Sequence, residues 1–314
     1  MTGSRIVALG HYQPPKVLTN DDLSRLVDTD DEWIRSRVGI RTRHIAEDET
    51  LVDLAEQAAQ KALASSGLAP DGIDLVAVAT CTAVDRSPST AASVAARLGI
   101  PSPAAYDINT ACSGFSYALA TADHALRAGA ATRALVIGAE RMSDTIDWTD
   151  RSTCVIFGDG AGAAIVERVP DGGQPGIGPV VWGSEPDKGD AVVISGWEPR
   201  ISQQGQTVFR WATTKLAPIA REACERAGVA PSELAGFVAH QANLRIIDAI
   251  AAKLGAPQAV IARDVVVSGN TSAASIPLAL SKLVERGELA SGAPVLLFGF
   301  GGGLAYAGQV VRCP

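Results

Sequence analysis

Segments of the first half of this chain recur in the second half, in the same order and at nearly constant spacing. GLAPDGIDLVAVAT (67–80) resembles GVAPSELAGFVAH (228–240), NTACSGFSYAL (109–119) resembles NTSAASIPLAL (270–280), and FGDGAGAAIV (157–166) resembles FGFGGGLAYA (298–307). The offset is 161 from Gly67 to Gly228, 160 from Thr80 to His240, 161 from Asn109 to Asn270 and 141 from Phe157 to Phe298. Echoes held in register over that distance mean one supersecondary plan used twice. The final drop places 20 extra residues in the first half between Asn109 and Phe157, around GAERMSDTIDWTDRST.

Both halves run in the same sequence of elements. An Ala-rich helical stretch (LAEQAAQKALASSG; KLAPIAREACERAG) is followed by a short apolar strand (LVAVAT; GFVAH). More helix and strand follow, then a helix opened by the Asn-Thr motif, then strands ending in Gly-rich turns. Strands that are apolar almost throughout belong to sheets covered by helices on both faces, so the class is α/β. The Pro- and Gly-rich stretch VPDGGQPGIGP (169–179) marks the join, giving halves of 1–170 and 171–314.

Composition narrows the function classes. With 47% hydrophobic and 19% charged residues, 314 residues can bury a large core. A net charge of −7 without a polybasic run argues against nucleic acid as a partner. No apolar run approaches the roughly 18–20 residues of a membrane span, and the N-terminal stretch lacks a signal-peptide core. The five cysteines (Cys81, Cys112, Cys154, Cys224, Cys313) are odd in number and lack metal-ligand spacing. Reduced thiols in a cytoplasmic protein are therefore expected, with no metal site.

The two halves differ where reactive residues stand. Thr80 is matched to His240, and Cys112 to Ala273, while Asn270 opens the second Asn-Thr motif. A cysteine at a helix N-terminus meets free N–H groups and the positive end of the dipole, which lower a thiol pKa and supply donors for an oxyanion. Each residue also has a plainer reading: Cys112 as a small buried hydrophobe, His240 as a hydrogen-bonded core histidine, Asn270 as a helix cap, and Gly301 to Gly303 as a tight turn.

Six segments resolve that choice by resemblance: DTDDEWIRSRVGIRTRHIA (28–46), ACSGFSYAL (111–119), DRSTCVIFGDGAGAA (150–164), HQANLRIIDAIAAKLG (240–255), GNTSAAS (269–275) and GFGGG (299–303). Together they resemble, end to end, the β-ketoacyl-(acyl-carrier-protein) synthase III family, the initiating condensing enzymes of fatty acid synthesis. That resemblance implies a thiolase-like fold whose duplicated halves pack as α-β-α-β-α layers. Thiolases themselves would need a second cysteine in GFGGG, and a hydroxymethylglutaryl-CoA synthase a glutamate near Thr80 and Cys81; neither is present.

What the resemblance implies is specific. Cys112 takes an acyl group from an acyl-CoA primer. Malonyl-(acyl-carrier protein) is then decarboxylated with His240 and Asn270 stabilising the enolate, which attacks the acyl-Cys112 to give 3-oxoacyl-carrier protein. The N–H groups of Cys112 and Gly302 form the oxyanion hole. Trp33, Arg37 and Arg151 bind CoA, the last supplied by the insertion, and Arg245, Lys253 and Arg210 dock the acidic carrier protein. Ser87 and Phe209 line the acyl pocket, and the chain is a homodimer whose segment 82–93 completes the neighbour's site. No cofactor beyond the CoA and carrier-protein thioesters is implied.

Two departures from the family stand out: Ser152 where glycine is usual beside the CoA site, and a shortened 184–205 segment over the acyl tunnel. The small Ser87 favours branched or medium-length primers over acetyl. Two other functions compete: an acyltransferase moving the acyl group from Cys112 to another acceptor, and a non-catalytic partner subunit.

Overall fold

A computed structural model describes residues 3–170 and 172–314 of the chain. It contains two five-stranded sheets built on one plan. The first has the strand order Gly3–Tyr12, Asp159–Val169, Arg133–Arg141, Leu75–Ala79, Ala104–Ile108; the second has Val181–Gly183, Tyr306–Arg312, Pro294–Phe300, Gly236–Ala239, Val260–Ile261. In each, the Leu75–Ala79 or Gly236–Ala239 strand pairs in parallel with both neighbours, and the remaining pairings are antiparallel. The chain passes from the first sheet to the second between Val169 and Val181; the join expected at 170/171 includes Asp171, which lies outside the described residues.

Side-chain alternation along the strands sets the layers. Leu75, Ala77 and Ala79 point to a central layer made by the helices Gly114–Arg127 and Ser275–Glu285, while Val76 and Val78 point to the outer helices Leu51–Ser66 and Thr90–Leu98. In the second half, Phe237, Ala239, Leu296 and Phe298 pack on the outer helices Gly205–Arg226 and Leu244–Leu254. The result is five layers, α-β-α-β-α. Each fully buried Val, Leu or Phe contributes about 1.5–3 kcal/mol, and because both faces of these strands are buried, the central and the outer layers are both held by apolar packing. Local signals set the ends: Thr50 and Asp53 form a capping box at the start of Leu51–Ser66, and Gly67 closes it in the left-handed conformation.

Strand register corrects two details of the repeat. Val76 lies opposite Leu135 and Phe237 opposite Leu296; Val78 lies opposite Ile137 and Ala239 opposite Phe298. Every partner is 161 residues from its counterpart, so His240 corresponds to Ala79, not to Thr80. The FGDG and FGFG segments are not equivalent either, because Phe298 lies inside the Pro294–Phe300 strand whereas Phe157 precedes the returning Asp159–Val169 strand. Val136 faces Ala164 and Leu297 faces Gln309, so the offset falls from 161 to 145 between these strands. The insertion is 16 residues and lies between Arg141 and Asp159.

The halves meet where glycine lets them. A Cβ on Gly138 would lie 2.4 Å from the Ala273 carbonyl oxygen, and one on Gly299, its counterpart at offset 161, would lie 2.9 Å from Ser113 Cα. Each Asn-Thr motif thus presses its turn against the central strand of the opposite half.

Candidate active site

At that junction lies a cavity of about 510 Å³ lined by Cys112, His240 and Asn270. Cys112 sits in the 3-10 turn Ala111–Ser113, and Asn270 two residues ahead of the matching turn Ser272–Ala274. Both turns carry a strained non-glycine residue at the same place, Ala111 and Ser272, each with φ of 46°; such strain costs about 1–3 kcal/mol and must be held by its surroundings. The hold is an Asx-turn in each half. The Ala111 N–H donates to Asn109 Oδ1 at 3.2 Å, and the Ser272 N–H to Asn270 Oδ1 at 2.9 Å. Because Asn270 spends its carbonyl oxygen locally, its amide Nδ2 is the end free to act in the cavity. Its backbone is clamped to the end of the insertion, with Asn270 N donating to Ile156 O at 2.9 Å and Gly158 N donating to Asn270 O at 3.1 Å.

Burial governs both titrating groups. The Cys112 thiol is pushed up to about 11 by desolvation, with the nearby Glu140 charge adding to the rise; the Ser272 hydroxyl and the N–H groups of Gly302 and Cys112 act the other way. The lowering expected from the helix N-terminus is therefore outweighed, because the turn that supplies the donors also encloses the sulfur. His240 is pushed down to about 3 by desolvation alone and is neutral at ordinary pH. Its Nδ1 lies 2.7 Å from Ser275 Oγ, and its ring meets the Phe300 ring at 5.4 Å between centroids. Gly301 makes room for the sulfur, since a Cβ there would come within 2.6 Å of Cys112 Cβ and 2.9 Å of Sγ.

The cavity also brings in Phe209, Arg37, Arg210 and Arg245, with the Arg245 guanidinium 5.2 Å from the Phe209 ring centre. The insertion contributes Met142, Ser152, Ile156 and Phe157 to the wall. The 184–205 segment contains a hairpin, Val192–Ser195 with Arg200–Gln203, from which Val192, Ile194, Ile201 and Gln203 line the cavity. Ser152 does not thrust its hydroxyl at the site: Oγ donates to Asp150 Oδ2 at 2.8 Å.

Other expected residues lie outside the lining. Arg151 stacks over Trp33 at 4.8 Å from the ring centre, with Arg37 at 5.7 Å, and donates through Nη1 to Asp28 O at 2.6 Å. A flat ring needs about 7 Å between its two covers, so the Trp33–Arg151 pair is closed on itself. Lys253 donates to Thr213 O at 2.6 Å. Ser87 is exposed and does not reach this chain's own cavity. Sequence reading missed Ser272, Ser275, Phe300 and Cys81, all at the site. For Ser272 and Ser275 the signal was present, since offset 161 pairs them with Ala111 and Gly114 of the cysteine turn.

Two duplicated α/β halves in five layers, with a cysteine, a histidine and an asparagine meeting in a cavity at their junction, define the thiolase-like fold in the form found among condensing enzymes. The 3-oxoacyl-[acyl-carrier-protein] synthase III family matches residues 106–186, and its C-terminal counterpart residues 224–313. The chain is 71% identical, over the full length of both proteins, to β-ketoacyl-[acyl-carrier-protein] synthase III 2 of Streptomyces avermitilis. It is 68% identical, over 99% of each, to synthase III 4 of Streptomyces coelicolor. Among solved structures, the priming β-ketosynthase of the R1128 polyketide pathway superposes with a TM-score of 0.96 at 42% identity, covering 99% of this chain and 96% of that one. The protein belongs to the β-ketoacyl-[acyl-carrier-protein] synthase III family and is an acyltransferase of the condensing type.

Proposed function

We propose that this enzyme condenses an acyl-CoA primer with malonyl-carrier protein, losing CO₂ and releasing 3-oxoacyl-carrier protein. The observation that carries the reading is the meeting of Cys112, His240 and Asn270 in one cavity with backbone donors at the sulfur. Cys112 Sγ attacks the primer thioester carbonyl, the oxyanion is held by the Cys112 and Gly302 N–H groups, and CoA departs as the thiol. Malonyl-carrier protein then enters. The C–C bond to its carboxylate breaks, and the electron pair passes into the thioester carbonyl, whose oxygen accepts hydrogen bonds from His240 Nε2–H and Asn270 Nδ2. The enolate carbon attacks acyl-Cys112, and the thiolate leaves and is reprotonated. A neutral histidine suits this role, because stabilising an enolate requires a donor but no proton transfer.

The halves divide the work: residues 1–170 bring the nucleophile and the insertion with Arg151, and residues 171–314 bring His240, Asn270 and the basic residues Arg210, Arg245 and Lys253. Trp33, Arg37 and Arg151 receive CoA, while the basic set steers an acidic carrier protein by charge. A homodimer is supported by the exposed stretch 83–88 within segment 82–93, where Val84 is 82% exposed, and by the outer edge of strand Ala104–Ile108. In it, Ser87 would border the neighbour's acyl pocket opposite Phe209 and favour branched or medium-length primers.

Five unpaired thiols suit a cytoplasmic setting. No helix among the described residues is long and apolar enough to cross a membrane, and no cluster of three or more metal-binding side chains is found among them. Incubation with labelled acyl-CoA and then malonyl-carrier protein tests the reading. Acyl-enzyme mass followed by CO₂ release and 3-oxoacyl product is expected; transfer of the acyl group to another acceptor without CO₂ would overturn it.

A further inference from the structure

Offset 161 pairs Gly301, the residue that clears space for the sulfur, with Glu140, and pairs Cys112 with Ala273. Around the turn without a nucleophile, where Ala273 of the second half meets Glu140 of the first, the small residue and the large one have changed places. Glu140 is fully buried, and its carboxylate accepts only neutral donors: Thr82 Oγ1 at 2.6 Å, Thr80 Oγ1 at 3.1 Å, Cys81 N at 3.1 Å, Cys81 Sγ at 3.2 Å and Ala273 N at 3.4 Å. The Ala273 N–H is the counterpart of the Cys112 N–H that points at the reacting sulfur. The carboxylate therefore lies where, in the working half, an oxyanion would be received.

We propose that Glu140 is a positioning residue of the active site, a built-in anion that grips the Ala273 N–H and thereby fixes the Ser272–Ala274 turn from which Asn270 is aimed. The turn needs such a hold. Ser272 stands at φ of 46°, held by the Asx-turn to Asn270 Oδ1 and by the contact of its hydroxyl with Cys81 Sγ at 3.6 Å, and the Ala273 N–H that follows it is directed at Glu140. From the other side, Glu140 is fixed by the residues 80–82 that follow the neighbouring strand Leu75–Ala79. It thus ties the Asn270 turn of the second half to a rigid strand of the first. The turn that carries Cys112 has its own Asx-turn to Asn109, so its backbone is not held by this grip. Replacing the carboxylate with an amide turns an NH₂ toward N–H and O–H donors, so the turn loses its anchor while the cavity keeps its shape.

The proposal rests on the decarboxylating role of Asn270, and the test separates the two. Acyl-Cys112 formation from labelled acyl-CoA and CO₂ release from malonyl-carrier protein are measured separately on the parent, Glu140→Gln and Thr82→Val, with folding checked by thermal melting. Glu140→Gln is expected to slow CO₂ release by about 10²-fold, the usual loss for a catalytic group displaced by about 1 Å, and not to slow acylation, because removing the Glu140 charge takes away one cause of the raised Cys112 thiol. Thr82→Val, which deletes the shortest of the five bonds, should move the same ratio in the same direction by less, and it serves alone if Glu140→Gln does not fold. Equal loss in both half-reactions makes Glu140 merely structural, and no loss in either removes the role; both outcomes overturn the proposal while the parent remains active. A parent that neither acylates nor releases CO₂ overturns the functional reading itself, and the proposal with it.

Discussion

Ser275 Oγ lies 2.7 Å from His240 Nδ1 and also accepts the Gln241 N–H at 3.3 Å. The hydroxyl has one proton. The Gln241 N–H is a donor, so His240 Nδ1 is the acceptor within reach of that proton among the described residues; donating it there leaves neutral His240 protonated on Nε2, the nitrogen needed as a donor to the enolate oxygen. Ser275→Ala frees the ring to take the other tautomer. The expected result is a drop of about tenfold or more in CO₂ release, with acyl-enzyme formation unaffected. A variant that decarboxylates at the parent rate would show that the tautomer is set elsewhere.

The two half-reactions should respond differently to pH. A thiol raised to about 11 is ionised only in a small fraction near neutrality, so the first-turnover acylation rate should climb about tenfold per pH unit from 6 to 9. His240, lowered to about 3, stays neutral over the same range, and CO₂ release should be flat. Rapid-quench measurement of both half-reactions gives the answer. An acylation limb levelling off near pH 7 would mean that the thiol ionises by passing its proton to a base in the site.

Gly301→Ala tests the space around the sulfur. Its methyl group would fall within 2.6 Å of Cys112 Cβ, a distance real Cβ atoms do not show, and the chain on both sides is packed. Either the turn carrying the Gly302 donor or the cysteine turn must shift. Loss of one oxyanion donor costs about 10²–10³-fold, so acyl-enzyme formation should fall by that order while the melting temperature stays within a few degrees. Unimpaired acylation would show that the Gly302 N–H is not needed.

Much of this was legible from the repeat. Constant offset gave the α/β halves and singled out Cys112 and His240 as places where equivalent positions had diverged, whereas Asn270 repeats Asn109 and its role came from the resemblance. The repeat failed where composition imitated homology: FGDG and FGFG look alike because both are glycine turns beside a sheet, yet they serve different strands. A one-residue slip likewise set Thr80 against His240, and only strand register restored Ala79. Burial was illegible, which is why a thiol expected to be acidified at a helix N-terminus is instead raised. Glu140 could not be read at all, because a buried carboxylate looks in sequence like any surface glutamate until its five donors come together from distant segments.

Arg151 is stacked on Trp33 and tied to Asp28, outside the cavity lining, whereas Arg245 lies on the Phe209 ring at the cavity wall. If CoA enters between Trp33 and Arg151, the closed pair must open to admit its base. Arg151→Ala then removes one cover of the base, and the KM for acyl-CoA should rise about tenfold, with CO₂ release from malonyl-carrier protein unchanged. Arg245→Glu should do the opposite. A reversed charge at the docking surface raises the KM for the acidic carrier substrate about tenfold or more and leaves acylation by acyl-CoA nearly intact. High salt should mimic the second variant by screening the long-range attraction and should affect the first far less, because stacking is not screened. Crossed measurements of both KM values in both variants decide the matter. Parallel losses in each would mean that the two substrates share one entrance and that neither arginine is specific to its partner.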